Sequence, residues 1–317
     1  MSIAVFVWLG VLASVVYLVV PALGAFFVRA RWRGFRVLAA EASRYPEITY
    51  REVHARSGEK EASCHWYFLG ALEAFQDDEI IWLRNSNIAL SADMKGQKVF
   101  LLPSRTDQSE APAGEAIQVI PWEKVRSLPE GTQVMIAGNL HIEGRKGRFR
   151  AGKGSELLII FYDGDSSSLL RRAVLHGRQR NEYWNLFTPA CLAAGFLSGM
   201  ILAYVFLHSP VERIPAILSL GISFVPFIPV LPPGLAFFVL YRRLWKKGRV
   251  LRAERDILRL PPGGFGASPE HITSDPLRAG LCEKRAVRCE VAALALFAAG
   301  FLGNAYLVLR LLAWIVR

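Results

Sequence analysis

Cysteine is scarce in this 317-residue chain, which has only Cys64, Cys191, Cys282 and Cys289. No two of them form a CxxC pair, and no histidine lies at metal-ligand spacing from them. Cys64 is followed by His65, but neighbouring strand residues point to opposite faces and do not readily converge on one ion. The sequence therefore predicts free thiols and no metal or other cofactor.

Acidic residues are absent from four long apolar stretches, Ile3–Val28, Leu186–Leu207, Ile214–Tyr241 and Val291–Ile315. Each reaches the roughly 20 residues that cross a hydrocarbon core of about 30 Å. In lipid the backbone must satisfy its own hydrogen bonds, so such stretches form helices. We predict a multi-pass membrane protein, without the buried carboxylate that would serve ion-coupled transport.

Lysine and arginine are concentrated at one end of each apolar stretch. They follow the first and third stretches, beginning at Arg29 and Arg242, and they precede the second and fourth. Because such residues mark the cytoplasmic side, both termini are predicted outside a cell membrane (plasma or inner membrane). No basic residue precedes the first stretch, so we expect a retained span rather than a cleaved signal peptide.

These boundaries divide the chain into six predicted segments. Four are transmembrane helices, and the other two are a cytoplasmic β-rich domain that ends in a helix and a basic cytoplasmic loop. In chain order they are transmembrane helix 1 (1–28), the β-rich domain (29–185), transmembrane helices 2 (186–208) and 3 (214–241), the basic loop (242–290) and transmembrane helix 4 (291–315).

The net charge of +11 is unevenly distributed. Residues 37–168 contain 15 Lys and Arg against 19 Asp and Glu, a net −4, so the basic excess lies beside the apolar stretches. This disfavours nucleic acid and favours anionic lipid headgroups, where each cation contributes on the order of 1 kcal/mol. A membrane or cytoplasmic protein is the second predicted partner. The predicted headgroup contacts are Arg29, Arg31, Arg33, Arg242, Arg243, Lys246 and Lys247.

Four prolines interrupt the third apolar stretch: Pro226, Pro229, Pro232 and Pro233. Each removes a backbone donor and costs roughly 3 kcal/mol inside a helix, so one regular helix cannot contain all four. Either the membrane helix ends near Leu231 and an interfacial helix begins, or the helix is broken at membrane depth. The sequence leaves both alternatives open.

The segment between the first two apolar stretches has the pattern of a β domain. Short apolar or alternating segments are separated by turn residues, which is typical of a small barrel or sandwich. Helical spacing follows at Leu169–Val174, with Asp165 or Ser166 as the predicted cap. The predicted strands are His65–Phe75, Ile80–Leu83, Ile88–Ala92, Val99–Leu102, two strands within 134–142 that pair through Gly138–Asn139, and Leu157–Tyr162.

Glycine-punctuated segments fill the middle of this domain, namely Trp122–Val125, Leu128–Thr132, Val134–Leu140 and Gly147–Phe149. Together they are similar to the central hairpin of OB-fold barrels. A barrel held between membrane spans resembles the β domains of NfeD-type proteins and the domain beside the membrane in GIDE-type ubiquitin ligases. The resemblance covers Pro121–Phe161, lacks the RING cysteines of the ligases, and implies only an OB-like fold.

Three motifs suggest other chemistry. Asp163–Ser167 resembles the nucleophile loop of haloacid-dehalogenase phosphatases, but that fold needs a doubly wound sheet, so a helix-capping turn is predicted. Gly263–Gly266 lacks the lysine of a phosphate-binding loop and is predicted to be a flexible loop. Cations around Phe149 suit a nucleic-acid groove, yet the acidic balance favours a solvated hairpin or a headgroup-facing edge. These cations are Arg145, Lys146, Arg148, Arg150 and Lys153.

The sequence thus predicts an α+β membrane protein with four transmembrane helices and a cytoplasmic OB-like β-barrel. The predicted function is a non-enzymatic binding or assembly module that presents the β domain at the membrane. The alternative is a small transporter or channel component that uses the proline-broken third span. An embedded hydrolase ranks third, because no nucleophile and base pair is evident. Asn304, the lone amide of the fourth stretch, is expected to hydrogen-bond between helices.

Overall fold

The chain forms two compact units in the computed structural model. A helical unit lies within Met1–Trp32, Asn181–Leu251 and Lys284–Arg317, and a unit with the β-sheet lies within Arg33–Arg180 and Arg252–Glu283. The structure describes residues 3–55, 64–76, 79–85, 88–103, 116–143, 146–152, 156–179, 182–209, 213–260 and 275–315. The α+β class predicted from the sequence is confirmed.

Nine α-helices are found in the described part of the chain. A five-residue π-helix, Val15–Val19, joins the first two, and short 3-10 helices lie at Ser166–Ser168 and Ile228–Val230. In chain order the α-helices are α1 (Ile3–Ser14), α2 (Val20–Ala42), α3 (Tyr50–Ala55), α4 (Trp122–Val125), α5 (Leu169–Gln179), α6 (Phe187–Leu207), α7 (Arg213–Ser223), α8 (Gly234–Leu258) and α9 (Pro276–Ile315).

Three helical segments are long and apolar enough to cross a membrane: Ala4–Ala42, Phe187–Leu207 and Pro276–Ile315. The first continues well beyond Val28 and the last begins well before Val291, so both carry polar extensions outside their apolar stretches. The predicted third span is not one helix. Its residues are divided between α7, a connecting segment that contains the 3-10 helix Ile228–Val230, and α8. The 11 residues of α7 extend only about 16 Å.

Small residues allow α6 and α7 to approach closely. A Cβ at Gly199 would lie 2.8 Å from the carbonyl oxygen of Ser219 and 2.9 Å from the Cβ of Ser223. One turn earlier, Gly195 packs against the ring of Tyr17. Lipid tails are as apolar as the side chains, so the hydrophobic effect does not bring helices together in a bilayer. Close backbone packing therefore stabilises the contact between α6 and α7.

The sheet of the second unit has eight strands in the order β1-β2-β3-β7-β6-β8-β4-β5, with an additional pairing of β1 and β6. The pairings β3–β7 and β4–β8 are parallel and the others are antiparallel. The strands are β1 (Cys64–Gln76), β2 (Ile80–Asn85), β3 (Ile88–Asp93), β4 (Val99–Leu101), β5 (Gln118–Ile120), β6 (Gln133–Glu143), β7 (Lys146–Phe149) and β8 (Leu158–Tyr162).

The extra pairing makes the hydrogen bonding cyclic through β1, β2, β3, β7 and β6. The first half of β1 pairs with β6 and the second half with β2, and the register shifts between Leu72 and Ala74. Such an irregularity bends a strand and lets it serve two neighbours. The residues at the centre of this cycle are buried and apolar, and include Phe68, Leu83, Leu140 and Phe149.

One turn predicted from the sequence is wrong. The chain does not turn at Gly138–Asn139, because β6 runs without interruption from Gln133 to Glu143. Gly138 has φ +151°, and a Cβ there would overlap the side chain of Leu157. The lack of a Cβ at Gly138 therefore makes room for the side chain of Leu157, and the strand continues without a turn. Strand β5 and helix α4 were not predicted.

Candidate functional site

The interruption of the third apolar stretch is the most constrained polar feature of the helical unit. All four prolines lie between the end of α7 at Ser223 and the start of α8 at Gly234. Asn304 of α9, which is 2% exposed, contacts this segment. Its Nδ2 donates to the carbonyl oxygens of Ile228 and Leu231, each at 2.7 Å, and its Oδ1 accepts from the N–H of Gly234 at 3.3 Å.

These bonds explain how the break is tolerated. Pro232 has no N–H to donate to the Ile228 carbonyl four residues earlier, and an unsatisfied backbone group in lipid costs several kcal/mol. The Leu231 carbonyl accepts from the N–H of Leu235 as well as from Asn304. Asn304 supplies both amide hydrogens and its oxygen to this segment. Gly234 makes room for the amide, since a Cβ there would overlap it. Asn304 lies near the middle of the fourth apolar stretch, so the break is level with that point.

The predicted headgroup contacts lie on α2 and α8, next to the apolar parts of both helices. Six of the seven are exposed and Lys246 is half-buried. Arg29 donates from Nε to Glu182 Oε2 at 2.8 Å, and the ring of Tyr183 packs edge-on against Trp245 at 5.9 Å. Cations next to amphipathic aromatic rings are typical of the membrane–water interface.

A half-buried cluster of arginines and carboxylates lies in the second unit. Asp256 accepts from Arg178 at 2.6 and 2.9 Å and from Arg255 at 2.5 and 3.0 Å, and it lies 4.0 Å from Arg36. Glu283 accepts from Arg255 at 3.0 Å and from Arg259 at 2.8 Å. The cluster joins α2, α5, α8 and α9, so these arginines stabilise contacts between helices.

Sequence reasoning missed this cluster. Arg255 and Arg259 look like further basic residues that flank the third apolar stretch, whereas the structure pairs them with carboxylates. The sequence did carry a signal. Arg255 is followed by Asp256, and Arg259 lies four residues after Arg255, a mixture of charges that indicates a helix with ion pairs. The partners Arg36 and Arg178 are too distant in sequence to be inferred.

The motifs that suggested phosphate chemistry have structural roles where they are described. Asp165 caps the 3-10 helix that leads into α5, accepting from the N–H of Ser167 at 3.2 Å and from its hydroxyl. The carbonyl of Asp163 accepts from Arg172. Within the described ranges, no three His, Cys, Asp or Glu residues could hold a metal ion. All four cysteines are free. Gly263–Gly266 lies outside the described residues.

The cations around Phe149 do not flank an accessible aromatic ring. Phe149 is fully buried in the β core. Lys146 and Arg150 are exposed, and Arg148 donates to Ser91 Oγ at 3.2 Å. Arg145 and Lys153 lie outside the described residues. Because Phe149 cannot stack on a base, a nucleic-acid groove at these cations, the alternative that the sequence disfavoured, would lack its aromatic component.

The fold and these contacts define a protein with membrane-type helices and an eight-stranded mixed sheet. Comparison with protein families, with curated proteins and with solved structures finds no match to the chain. Its function must therefore be inferred from its own geometry.

Proposed function

We propose that this chain is a multi-pass membrane protein that acts as a non-enzymatic binding or assembly module, with its β domain presented in the cytoplasm. The observation that carries the proposal is the outward apolar surface of the helical unit. Trp8 is 72%, Leu18 68% and Leu302 66% exposed, and such a surface is stable against lipid but not against water. The β domain, in contrast, has a core of its own.

Two finer features of the fold belong to the same proposal. The short apolar helix α7 and the apolar start of α8 together provide a fourth crossing, interrupted by the prolines. The cyclic pairing of five strands, with β3 and β7 parallel, supports a closed OB-like barrel. Strands β8, β4 and β5 extend this barrel from β6. The similarity to NfeD-type and GIDE-type domains supports the same fold and no shared function.

The orientation follows from the exposed basic residues that flank the apolar helices. Arg29, Arg31 and Arg33 on α2 and the cations of α8 would meet anionic headgroups of the cytoplasmic leaflet, and each contributes on the order of 1 kcal/mol. Both termini would then be outside. The β domain would be held at the cytoplasmic surface of the cell membrane, where it can bind a membrane or cytoplasmic protein.

Photo-crosslinking in native membranes tests the binding role. A photoreactive amino acid would be placed singly at the exposed positions Tyr50, Arg84 and Ser127 of the β domain. We expect at least one position to yield a discrete protein adduct. The buried position Ile81 is the matched control and should yield none. Adducts to lipid alone from every exposed position would contradict the proposal.

A second candidate function is a small transporter or channel component. The depth of the proline break, near the middle of the span, favours it. Unwound backbone near the middle of a span is a feature of transporter sites. Single cysteines from Ile222 to Leu235, in a Cys-free variant, would report access to a small water-soluble thiol reagent. Because Asn304 donates to the carbonyls of Ile228 and Leu231, we expect no continuous reactivity through Ile228. Water access at every position would support transport instead.

A further inference from the structure

One outward face of the β-sheet carries a row of cationic and amide side chains. In the register of β6 and β7, His141 pairs with Arg148 and Leu140 pairs with Phe149. Strand residues alternate between faces, and Leu140 and Phe149 are fully buried. The residues on either side of them therefore share the outer face. We call this set the polar face: His65, Asn139, His141, Lys146, Arg148 and Arg150.

The register brings these residues together from three strands. His65 of β1 pairs with Asn139 of β6, and the backbone N–H of Arg150 donates to the Asn139 carbonyl at 3.0 Å. Arg148 and Arg150 are two residues apart on one side of the chain, a spacing of about 7 Å. At one end of the face, Lys146 pairs in register with Glu143.

Asn139 carries an unsatisfied acceptor at the centre of this face. Its Nδ2 lies 3.4 Å from Nε2 of His141. Its Oδ1 is buried and has no hydrogen-bond partner among the residues that the structure describes. A buried acceptor without a donor costs about 1–3 kcal/mol. A ligand hydroxyl that meets Oδ1 after the amide turns towards the outer face would recover this free energy.

We propose that the polar face binds a phosphate ester that carries hydroxyl groups, that is, a polyol phosphate. The guanidinium groups of Arg148 and Arg150 suit the phosphate oxygens, which arginine binds through paired N–H groups. The Asn139 amide oxygen accepts from a hydroxyl of the polyol. Either a lipid headgroup or a soluble ester can supply this chemistry. The site does not depend on the module function proposed above, because its contacts all lie within the β domain.

Calorimetric titration of the full chain, in nanodiscs of phosphatidylcholine, tests the ligand class. We expect glycerol phosphate to bind more tightly than inorganic phosphate, and glycerol alone not to bind. Arg148→Gln and Arg150→Gln should each weaken glycerol phosphate binding by about tenfold. Asn139→Ala should remove the preference for glycerol phosphate over inorganic phosphate. Arg84→Gln, an exposed arginine outside the face, is the matched control and should bind as the unmodified chain does.

The source of the phosphate is separated by changing the nanodisc lipid. Weaker glycerol phosphate binding in phosphatidylglycerol than in phosphatidylserine, which has equal charge but no glycerol headgroup, assigns the site to the lipid. Equal binding in both assigns it to a soluble ester. The proposal is overturned if no phosphate probe binds, if Arg148→Gln and Arg150→Gln bind as the unmodified chain does, or if a single-stranded oligonucleotide binds more tightly than glycerol phosphate.

Discussion

At the scale of single residues, Asn304 has the largest structural consequence. Its side chain bonds to three backbone groups in a segment about 70 positions earlier in the chain. Sequence reasoning anticipated a hydrogen bond between helices for this lone amide. It did not identify the proline segment as the partner, because nothing in either stretch encodes which helices become neighbours.

Replacing Asn304 with leucine should destabilise the helical unit by about 2–4 kcal/mol, because the Ile228 carbonyl and the Gly234 N–H lose their partner in an apolar environment. The Leu231 carbonyl still accepts from the N–H of Leu235 at 3.0 Å. Thermal unfolding of the full chain in detergent, followed by circular dichroism, would measure the change. Leu302→Ala, at an exposed position on the same helix, should have a much smaller effect. Equal stability of the Asn304→Leu variant and the unmodified chain would show that the amide is dispensable.

The protonation of Tyr162 is coupled to the β core, in which its side chain is buried. Burial away from water raises the pKa of Tyr162 to about 12, with a smaller contribution from Asp165 that Arg172 partly opposes. The folded-state pKa is above the ordinary value of about 10. The neutral phenol therefore contributes stability that is fully present below about pH 10 and is lost as the pH rises towards 12.

We expect the stability of the β domain to fall between about pH 10 and pH 12, and to fall less in a Tyr162→Phe variant, which has no phenol to ionise. Denaturant unfolding of the full chain, followed by the β signal in circular dichroism at a series of pH values, measures both. Identical pH profiles for the two proteins would mean that Tyr162 ionises without cost to the fold.

At the scale of elements, the contact between α6 and α7 depends on backbone proximity. Gly199→Ala places a methyl group 2.8 Å from a backbone oxygen of α7, so the helices must separate. We expect a loss of about 1–3 kcal/mol. Gly303→Ala is the matched control, since nothing lies within 4 Å of its Cβ position; alanine there should be neutral or slightly stabilising. Thermal unfolding would distinguish them, and equal effects would refute close packing at Gly199.

The proline segment shows what element-level patterns can predict. Four prolines in one apolar stretch exclude a regular helix on covalent grounds alone. They do not indicate whether the freed carbonyls meet water, lipid or protein. The structure gives Ile228 and Leu231 a protein donor, and this distinction separates a structural joint from a transport site.

At the scale of the whole molecule, the orientation in the membrane remains a prediction from the flanking cations. In a Cys-free variant in intact cells, Ser127→Cys in the β domain should resist a membrane-impermeant thiol reagent until the cells are permeabilised. Ser209→Cys, which follows α6, should react without permeabilisation. Labelling of Ser127→Cys from outside would reverse the orientation and place the β domain across the membrane.

The sequence by itself determined the apolar helices, most of the strands, the capping role of Asp165 and the location of the break in the third stretch. These features depend on local composition, periodicity and covalent geometry, which a single chain displays directly. Only the tertiary structure decided the cyclic strand pairing, the Asp256 cluster, the role of Gly138 and the assembly of the polar face. Each of these brings together residues far apart in sequence, and their proximity depends on how all the elements pack rather than on any local pattern.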